Sequence, residues 1–453
     1  MTHRHRLSLL AAALFGAVSL SASVLRASSA SEPVRLRIEL DRSVLRAGST
    51  QKAIVKVAFD CLPPPRSGRR PPVNLALVID RSGSMGGDKI VNAREAALEA
   101  VRRLAPDDIV SLIAYDTRAE TLVHAQRVGD GRRLEDAIRR IEIAGSTALH
   151  EGVTRAAEEV RRHLEDERYV NRIILLSDGL ANVGPSSPEA LARLGSSLVR
   201  EGISVTTIGL GLGFNEDLMT RLAQCSDGNT YFVENSADLS RIFAAELGDV
   251  LNVVARRVAV DISFPKGVRP LGFVGREGTI SGQKAALSFN QLYGGQEKFA
   301  LVEVEIAANS AGAEREIATA TLSYEDAVTQ RKANLGAKTA VRFSESEREV
   351  IASANHRVQA DYAVNVTAMA KDAAVGLVDA SRRDEAARQM RARNLELKNL
   401  ADTYQNKAVQ DLVTTNAQEA DRLEQHGLSN SARKSYRAEN MQTTNQQAVP
   451  SSR

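Results

Sequence analysis

Tryptophan is absent from this chain and aromatic residues make up only 4% of it, which removes the ring platforms that a sugar-stacking surface needs. Histidine is also scarce, with seven in 453 residues, two of them at positions 3 and 5, so acid–base catalysis has few candidates. Cysteine occurs only as Cys61 and Cys225, neither in a nucleophile or metal-ligand spacing. In an exported chain such a pair invites a disulfide, and two buried free thiols fit equally well. No excess of one charge exists either: 59 Lys and Arg against 56 Asp and Glu leave a net +3, too little to indicate nucleic acid. Arginine pairs such as Arg102-Arg103, Arg132-Arg133, Arg139-Arg140 and Arg161-Arg162 are interspersed with acids on predicted helices, without an aromatic-interleaved basic stripe.

What is present is ordinary globular composition, 43% hydrophobic and 25% charged over a length that predicts about three domains. The chain opens with a basic Met1–Arg6, an apolar Leu7–Leu20 and small residues ending at Ala30, the pattern of a secretory signal over residues 1–30 with cleavage before Ser31. No cysteine follows the apolar stretch, which excludes a lipoprotein attachment. The expected location is periplasmic or secreted. The alternative is an uncleaved signal, Leu7–Leu25, anchoring the protein in an inner membrane. No later segment is apolar enough to span a bilayer.

Periodicity divides the remainder. Residues 31–62 alternate as strands, 63–72 form a proline-rich linker, and 73–248 alternate strands with helices as a doubly wound sheet requires. Residues 249–343 return to alternating strands with glycine-rich turns, the pattern of a β-sandwich. Two early strands cannot make a domain alone, so they are expected to join that sandwich and make the α/β unit an insertion in it. Residues 344–440 carry helical spacing, as in Val350, Ile351, Ala354, Val358, Tyr362 and Val366, and predict an antiparallel hairpin or bundle. Residues 441–453 are expected to be disordered.

The most informative stretch is Asn74-Leu75-Ala76-Leu77-Val78-Ile79-Asp80-Arg81-Ser82-Gly83-Ser84, where an apolar run empties into an acid and two hydroxyls spaced two apart. Arg172–Gly179 repeats the design, ending in Ser177-Asp178-Gly179. Both read as buried parallel strands. Ligands of open α/β sheets sit outside the carboxyl ends of such strands, so Asp80 and Asp178 are expected to face one crevice. Two carboxylates ~4 Å apart repel by ~4 kcal/mol at an effective dielectric of ~20, and a divalent cation turns that into attraction. Gly145-Ser146-Thr147-Ala148-Leu149, a small-residue loop opening a helix, offers one more hydroxyl. An all-oxygen set suits a small, hard cation that keeps several waters.

Asp80-x-Ser82-x-Ser84, Thr147 and Asp178, in this order and these strand contexts, resemble the metal-ion-dependent adhesion site of von Willebrand factor type A domains, and the likeness covers residues 73 to 248. It implies an α/β fold, doubly wound and Rossmann-like, for that stretch, which the strand and helix patterns on either side make an insertion in a β-sandwich followed by a C-terminal helical region. It also implies that the serines and the threonine bind the metal directly or nearly so, that the acids act largely through water, and that the metal is magnesium, with manganese as a substitute. Arg81 stands where animal relatives often carry a hydroxyl; it is expected either to meet an anionic partner or to remain a solvated side chain.

The expected function is exported, non-enzymatic protein binding, in which an Asp or Glu of a protein partner takes the open metal position. The alternative is a cell-envelope assembly or regulatory component with a structural metal, since the layout is similar to proteins likened to calcium-activated chloride channel accessory proteins. Chemistry-bearing motifs beyond this are incomplete. His150-Glu151-Gly152-Val153-Thr154 lacks the second histidine of a zinc protease. Gly209-Leu210-Gly211-Leu212-Gly213 lacks the full dinucleotide-loop pattern and reads as a flexible loop.

Overall fold

The computed structural model describes residues 32–63 and 70–447; the expected signal segment 1–30 and most of the proline-rich stretch lie outside the described residues. The chain enters through β1 (Val34–Leu40), β2 (Val44–Arg46) and β3 (Gln51–Cys61). An α/β unit follows: β4 (Val73–Asp80), α1 (Asp88–Arg102), β5 (Ile109–Tyr115), β6 (Ala119–Arg127), α2 (Arg132–Arg139), α3 (Leu149–Arg161), β7 (Val170–Ser177), α4 (Pro188–Arg200), β8 (Ile203–Leu210), α5 (Glu216–Cys225), β9 (Thr230–Val233) and α6 (Leu239–Val250).

Its sheet runs β6-β5-β4-β7-β8-β9, parallel except for the edge strand β6. All eight residues of β4 are buried, as helices on both faces require. Leu75, Leu77 and Ile79 belong to one core with Leu98 of α1 and Phe243 of α6, while Ala76 and Val78 belong to the other with Val153 and Ala157 of α3. β5 lies on one side of β4 and β7 on the other. The winding therefore reverses between β4 and β7, and the crevice at their carboxyl ends is the position where open sheets bind ligands. The sequence expectations did not include β6, because its residues are polar and mostly half-exposed, unlike a strand buried on both faces.

The sandwich comprises β10 (Val253–Ser263), β11 (Val268–Val274), β12 (Thr279–Ser281), β13 (Lys284–Tyr293), β14 (Glu297–Ile306), β15 (Glu314–Asp326) and β16 (Lys332–Ser344). One sheet is ordered β1-β3-β14-β11 and the other β12-β13-β10-β15-β16-β2, so the three N-terminal strands are shared between both layers. Val55, Val57 and Phe59 of β3 share one core with Val260, Ile262, Leu287 and Leu322. Phe59 meets Phe289 edge-on, with centroids 5.4 Å apart, an arrangement aromatic quadrupoles favour.

Five helices complete the chain: α7 (Glu347–Ala352), α8 (His356–Asp379), α9 (Arg383–Tyr404), α10 (Lys407–His426) and α11 (Asn430–Thr444). Ser346, Asn355, Asn406 and Ser429 cap α7, α8, α10 and α11, each side chain accepting an amide N–H of the first turn. Among the described residues no helix is long and apolar enough to cross a membrane.

One expectation is corrected. The segment expected to be disordered from residue 441 instead continues α11 to Thr444, with Met441, Thr444, Asn445 and Gln447 buried. Gln447 accepts from the Thr230 amide at 3.0 Å and donates to the Thr230 carbonyl at 3.1 Å, so an amide-rich sequence completes the edge of β9. Of the two states left open for the cysteines the structure has the second, since Cys61 and Cys225 are both free thiols. Cys61 is paired opposite Val34 within the sandwich. Cys225 ends α5 beside α4, where a Cβ on Gly195 would lie 3.1 Å from it. The two belong to different layers of the fold.

Candidate metal centre

Asp80 ends β4, Asp178 follows β7, Ser82 and Ser84 lie on the turn before α1, and Thr147 lies just before α3. The structure brings these side chains to one crevice. Ser82 Oγ and Ser84 Oγ are 3.0 Å apart, and Ser84 Oγ donates to Asp178 Oδ1 at 2.7 Å. A Cβ on Gly179 would lie 3.0 Å from Thr147 Oγ1 and 3.3 Å from Ser84 Oγ. Glycine thus leaves open the space on which two candidate ligand oxygens converge.

Surrounding hydrogen bonds hold that arrangement. Ser82 N–H donates to Asp80 Oδ1 at 2.8 Å; Ser177 Oγ and Tyr115 OH donate to Asp80 Oδ2 at 2.8 and 3.3 Å. Both Asp80 oxygens are therefore engaged by the protein, which suits an acid that reaches a cation through water. Thr147 N–H donates to Asn182 Oδ1 at 2.9 Å. The turn and the loop before α3 are tied by Gly83 N–H to the Gly145 carbonyl at 3.2 Å and Ala144 N–H to the Arg81 carbonyl at 2.7 Å. Gly145 is required in that loop: its φ is +57°, and a Cβ would lie 2.4 Å from Thr117 Oγ1.

Electrostatics favours a cation here. Burial pushes the Asp80 carboxyl above its ordinary value, hydrogen bonds from Ser82 and Ser177 oppose this, and the Asp178 charge adds to the rise. Among the described residues no group of three or more His, Cys, Asp or Glu side chains is placed to hold a metal ion; the candidate set here joins two acids to the hydroxyls of Ser82, Ser84 and Thr147. The oxygen donor set therefore fits a hard divalent cation.

Arg81 is held within the protein. Its Nε donates to Asp116 Oδ2 at 2.7 Å and its Nη2 to Glu120 Oε2 at 2.9 Å, so the guanidinium braces the turn joining β5 and β6. This differs from the expected solvated side chain, because acids that a sequence run does not juxtapose are brought beside it by strand pairing. Sequence reasoning missed Tyr115, Ser177, Asn182 and Lys89. The signal for the first two was their position at the carboxyl ends of β5 and β7, beside β4. Lys89 Nζ bonds to Asp178 Oδ2 and donates to the Ser84 carbonyl at 3.2 Å.

The incomplete motifs serve other ends. His150 lies in the first turn of α3, 3.5 Å from Thr154 Oγ1, with burial lowering its pKa. Gly209 underlies the Phe214 ring, and a Cβ on Gly213 would lie 2.8 Å from the Asp178 carbonyl oxygen. The glycines thus let the loop after β8 approach the crevice closely.

The sequence profile of the von Willebrand factor type A domain matches residues 74–245. An uncharacterized protein of Synechocystis sp. is 34% identical over 175 residues, covering 39% of this chain and 41% of that one. Inter-alpha-trypsin inhibitor heavy chain H3 of Rattus norvegicus is 27% identical over 202 residues, covering 43% and 22%. The chain therefore spans well under half the length of these relatives. Among solved structures, the von Willebrand factor type A protein from Catenulispora acidiphila matches with a TM-score of 0.66 at 17% identity, covering 87% of this chain and 97% of that one. The ArnB paralog VWA2 from Sulfolobus acidocaldarius matches with a TM-score of 0.58 at 17% identity, covering 91% and 98%. At such identities the likeness is one of fold.

Proposed function

Since residues 74–245 form a von Willebrand factor type A domain, a kind of domain that commonly binds a divalent metal and mediates protein interaction, we propose that this chain is an exported, non-enzymatic protein-binding component whose binding depends on magnesium. Ser82, Ser84 and Thr147 offer hydroxyl ligands; Asp80 and Asp178 balance the charge, Asp80 through water. A bound cation supplies one directional positive position for a carboxylate of the partner. Ile143, Leu180 and Leu212 are exposed on the loops around the crevice, where apolar contact would shield that charge-assisted bond from water. The observation that carries the reading is the approach of the Thr147 and Ser84 hydroxyls to the space left by Gly179, with Ser84 bonded in turn to Ser82 and Asp178.

A second reading, envelope assembly or regulation through a structural metal, is supported by how the helical region grips the loop beneath Asp178. Lys434 of α11 donates to the Phe214 carbonyl at 2.6 Å, and Arg433 and Arg437 pair with Asp217 at 2.6 and 2.8 Å.

The test is a pull-down from envelope extract in magnesium and in EDTA, with calorimetric magnesium titration of wild type and Asp80→Ala. Wild type should retain a partner only in magnesium, and Asp80→Ala should lose it while its magnesium affinity falls about 10- to 100-fold. Unchanged magnesium affinity in Asp80→Ala would remove the site; magnesium binding that alters protection of α11 without partner capture would favour the second reading.

A further inference from the structure

Resting on that cation site, we propose that Lys89 is an internal competitor for the cation, neutralising Asp178 while the site is empty and withdrawing when it fills. Asp178 is fully buried at its side chain, whereas Lys89 is 35% exposed. The lysine reaches in from solvent, from the first turn of α1. Its ammonium holds Asp178 Oδ2 while Ser84 Oγ holds Oδ1 at 2.7 Å, and it also takes the Ser84 carbonyl at 3.2 Å. Both carboxylate oxygens are thus engaged by protein groups.

The lysine differs in kind from the other groups here. Ser82, Ser84, Thr147 and Asp178 have short side chains on turns pinned by backbone hydrogen bonds. Lys89 is a point charge on a flexible four-carbon stem. A Cβ on Gly211 would lie 3.8 Å from Lys89 Cε, so the loop after β8 leaves room for the stem beside the crevice. A divalent ion beside Asp178 would face that ammonium as a like charge, and only the ammonium can move away into water. Its departure, or its persistence as a repelling neighbour, subtracts from the affinity of the site for any cation. The same charge protects the empty site, since without it Asp80 and Asp178 would be two buried acids with no cation between them.

Lys89→Met keeps the stem and removes the charge. Magnesium and manganese titrations by calorimetry should show at least about tenfold tighter binding than wild type, within the usual range of coupling between two sites. Thermal denaturation should show Lys89→Met melting below wild type in EDTA and gaining more on adding magnesium. Lys89→Arg, which keeps the charge, should bind within about threefold of wild type. If Lys89→Met does not fold in EDTA, Lys89→Gln, able to donate one bond to Asp178 without a charge, gives the same comparison. Equal or weaker metal affinity in the uncharged variant overturns the proposal and makes Lys89 a residue that positions Ser84. The two failures are distinguishable: wild type that binds no cation, or Asp80→Ala that binds as well as wild type, removes the metal site itself. Loss in Asp80→Ala with no tightening in Lys89→Met removes only the competitor.

Discussion

β7 carries a buried charge near its start and meets another just past its end, and the two surroundings differ. Arg172, completely buried near the amino end, donates to Gln291 Oε1 at 2.9 Å, to Thr206 Oγ1 at 3.3 Å and to the Tyr293 hydroxyl, and faces Glu246 at 3.7 Å. Glu246 in turn accepts from Thr206, Asn229 and Tyr231 at 2.6, 2.8 and 3.2 Å. These partners come from β8, β9, α6, β13 and the loop before β9, so the sandwich and the α/β domain close over the charge together. Asp178, at the carboxyl end, is met among the described residues by the Ser84 hydroxyl and by an ammonium arriving from solvent. Both charges left water on folding. The enclosed one is matched by groups that cannot leave, and the open one by a group that can be exchanged. On the proposed reading, the charge at the open end can serve a ligand because its counter-charge can move.

The largest effect should come from breaking the closed end. Arg172→Met strands Glu246 in the interior and should cost about 3–5 kcal/mol in urea denaturation while leaving magnesium affinity within about threefold of wild type. Asp80→Asn should do the reverse, losing magnesium binding with little loss of stability in EDTA, because it removes a carboxylate already disfavoured by burial and by Asp178. Equal stability losses in the two variants would erase the distinction between the ends.

A smaller effect should separate the ends by pH. Near the closed end, burial and then the Glu246 charge push the Asp249 carboxyl up from the ordinary 3.8 to about 7, while Lys298 and Arg172 oppose the rise. Between those values the folded protein holds a proton that the unfolded chain has released, so this group's contribution to stability falls as pH rises and levels off above about 7. Burial and then Arg276 lower the Lys298 ammonium from 10.5 to about 8. There the unfolded chain holds the extra proton, and stability from this group rises with pH from about 8 to 10.5. Denaturation midpoints across pH should therefore flatten on the acid side in Asp249→Asn and on the alkaline side in Lys298→Met. A pair of variants with wild-type slopes would show that this end does not titrate.

The same contrast explains what could be read from the sequence. β4 and β7 announce themselves as unbroken apolar runs because helices cover both faces, and the acid and hydroxyls beyond them form a local pattern, so Asp80, Ser82, Ser84, Thr147 and Asp178 were legible. Lys89 was not: a lysine in the first turn of an amphipathic helix has the pattern of any solvated lysine, and only the three-dimensional approach of α1 to the end of β7 gives it a role. The end of α11 misled for a related reason. Gln446 and Gln447 are polar by composition, yet they satisfy Phe299 and Thr230 backbone groups inside the fold. Strand β6 was hidden by its polar edge position. The two cysteines invited a pairing that cysteine count alone cannot place in space.

Arg81 provides the smallest expected effect and the sharpest control, because it is a charge beside the crevice whose partners belong to the protein and are themselves part-exposed. Its side chain is 20% exposed, with Asp116 at 13% and Glu120 at 58%. Pairs so close to solvent contribute about 0–1 kcal/mol once screening and side-chain entropy are included. Arg81→Gln should therefore lower stability by no more than about 1 kcal/mol in urea denaturation. It should leave magnesium affinity unchanged in calorimetry, since the Arg81 backbone bonds to Tyr115 and Ala144 that hold the turn do not need the guanidinium. Loss of partner capture at unchanged magnesium affinity would instead mean that the arginine leaves Asp116 to meet an anion on the partner. Arg81 would then join Lys89 as an exchangeable charge at the open end of the sheet.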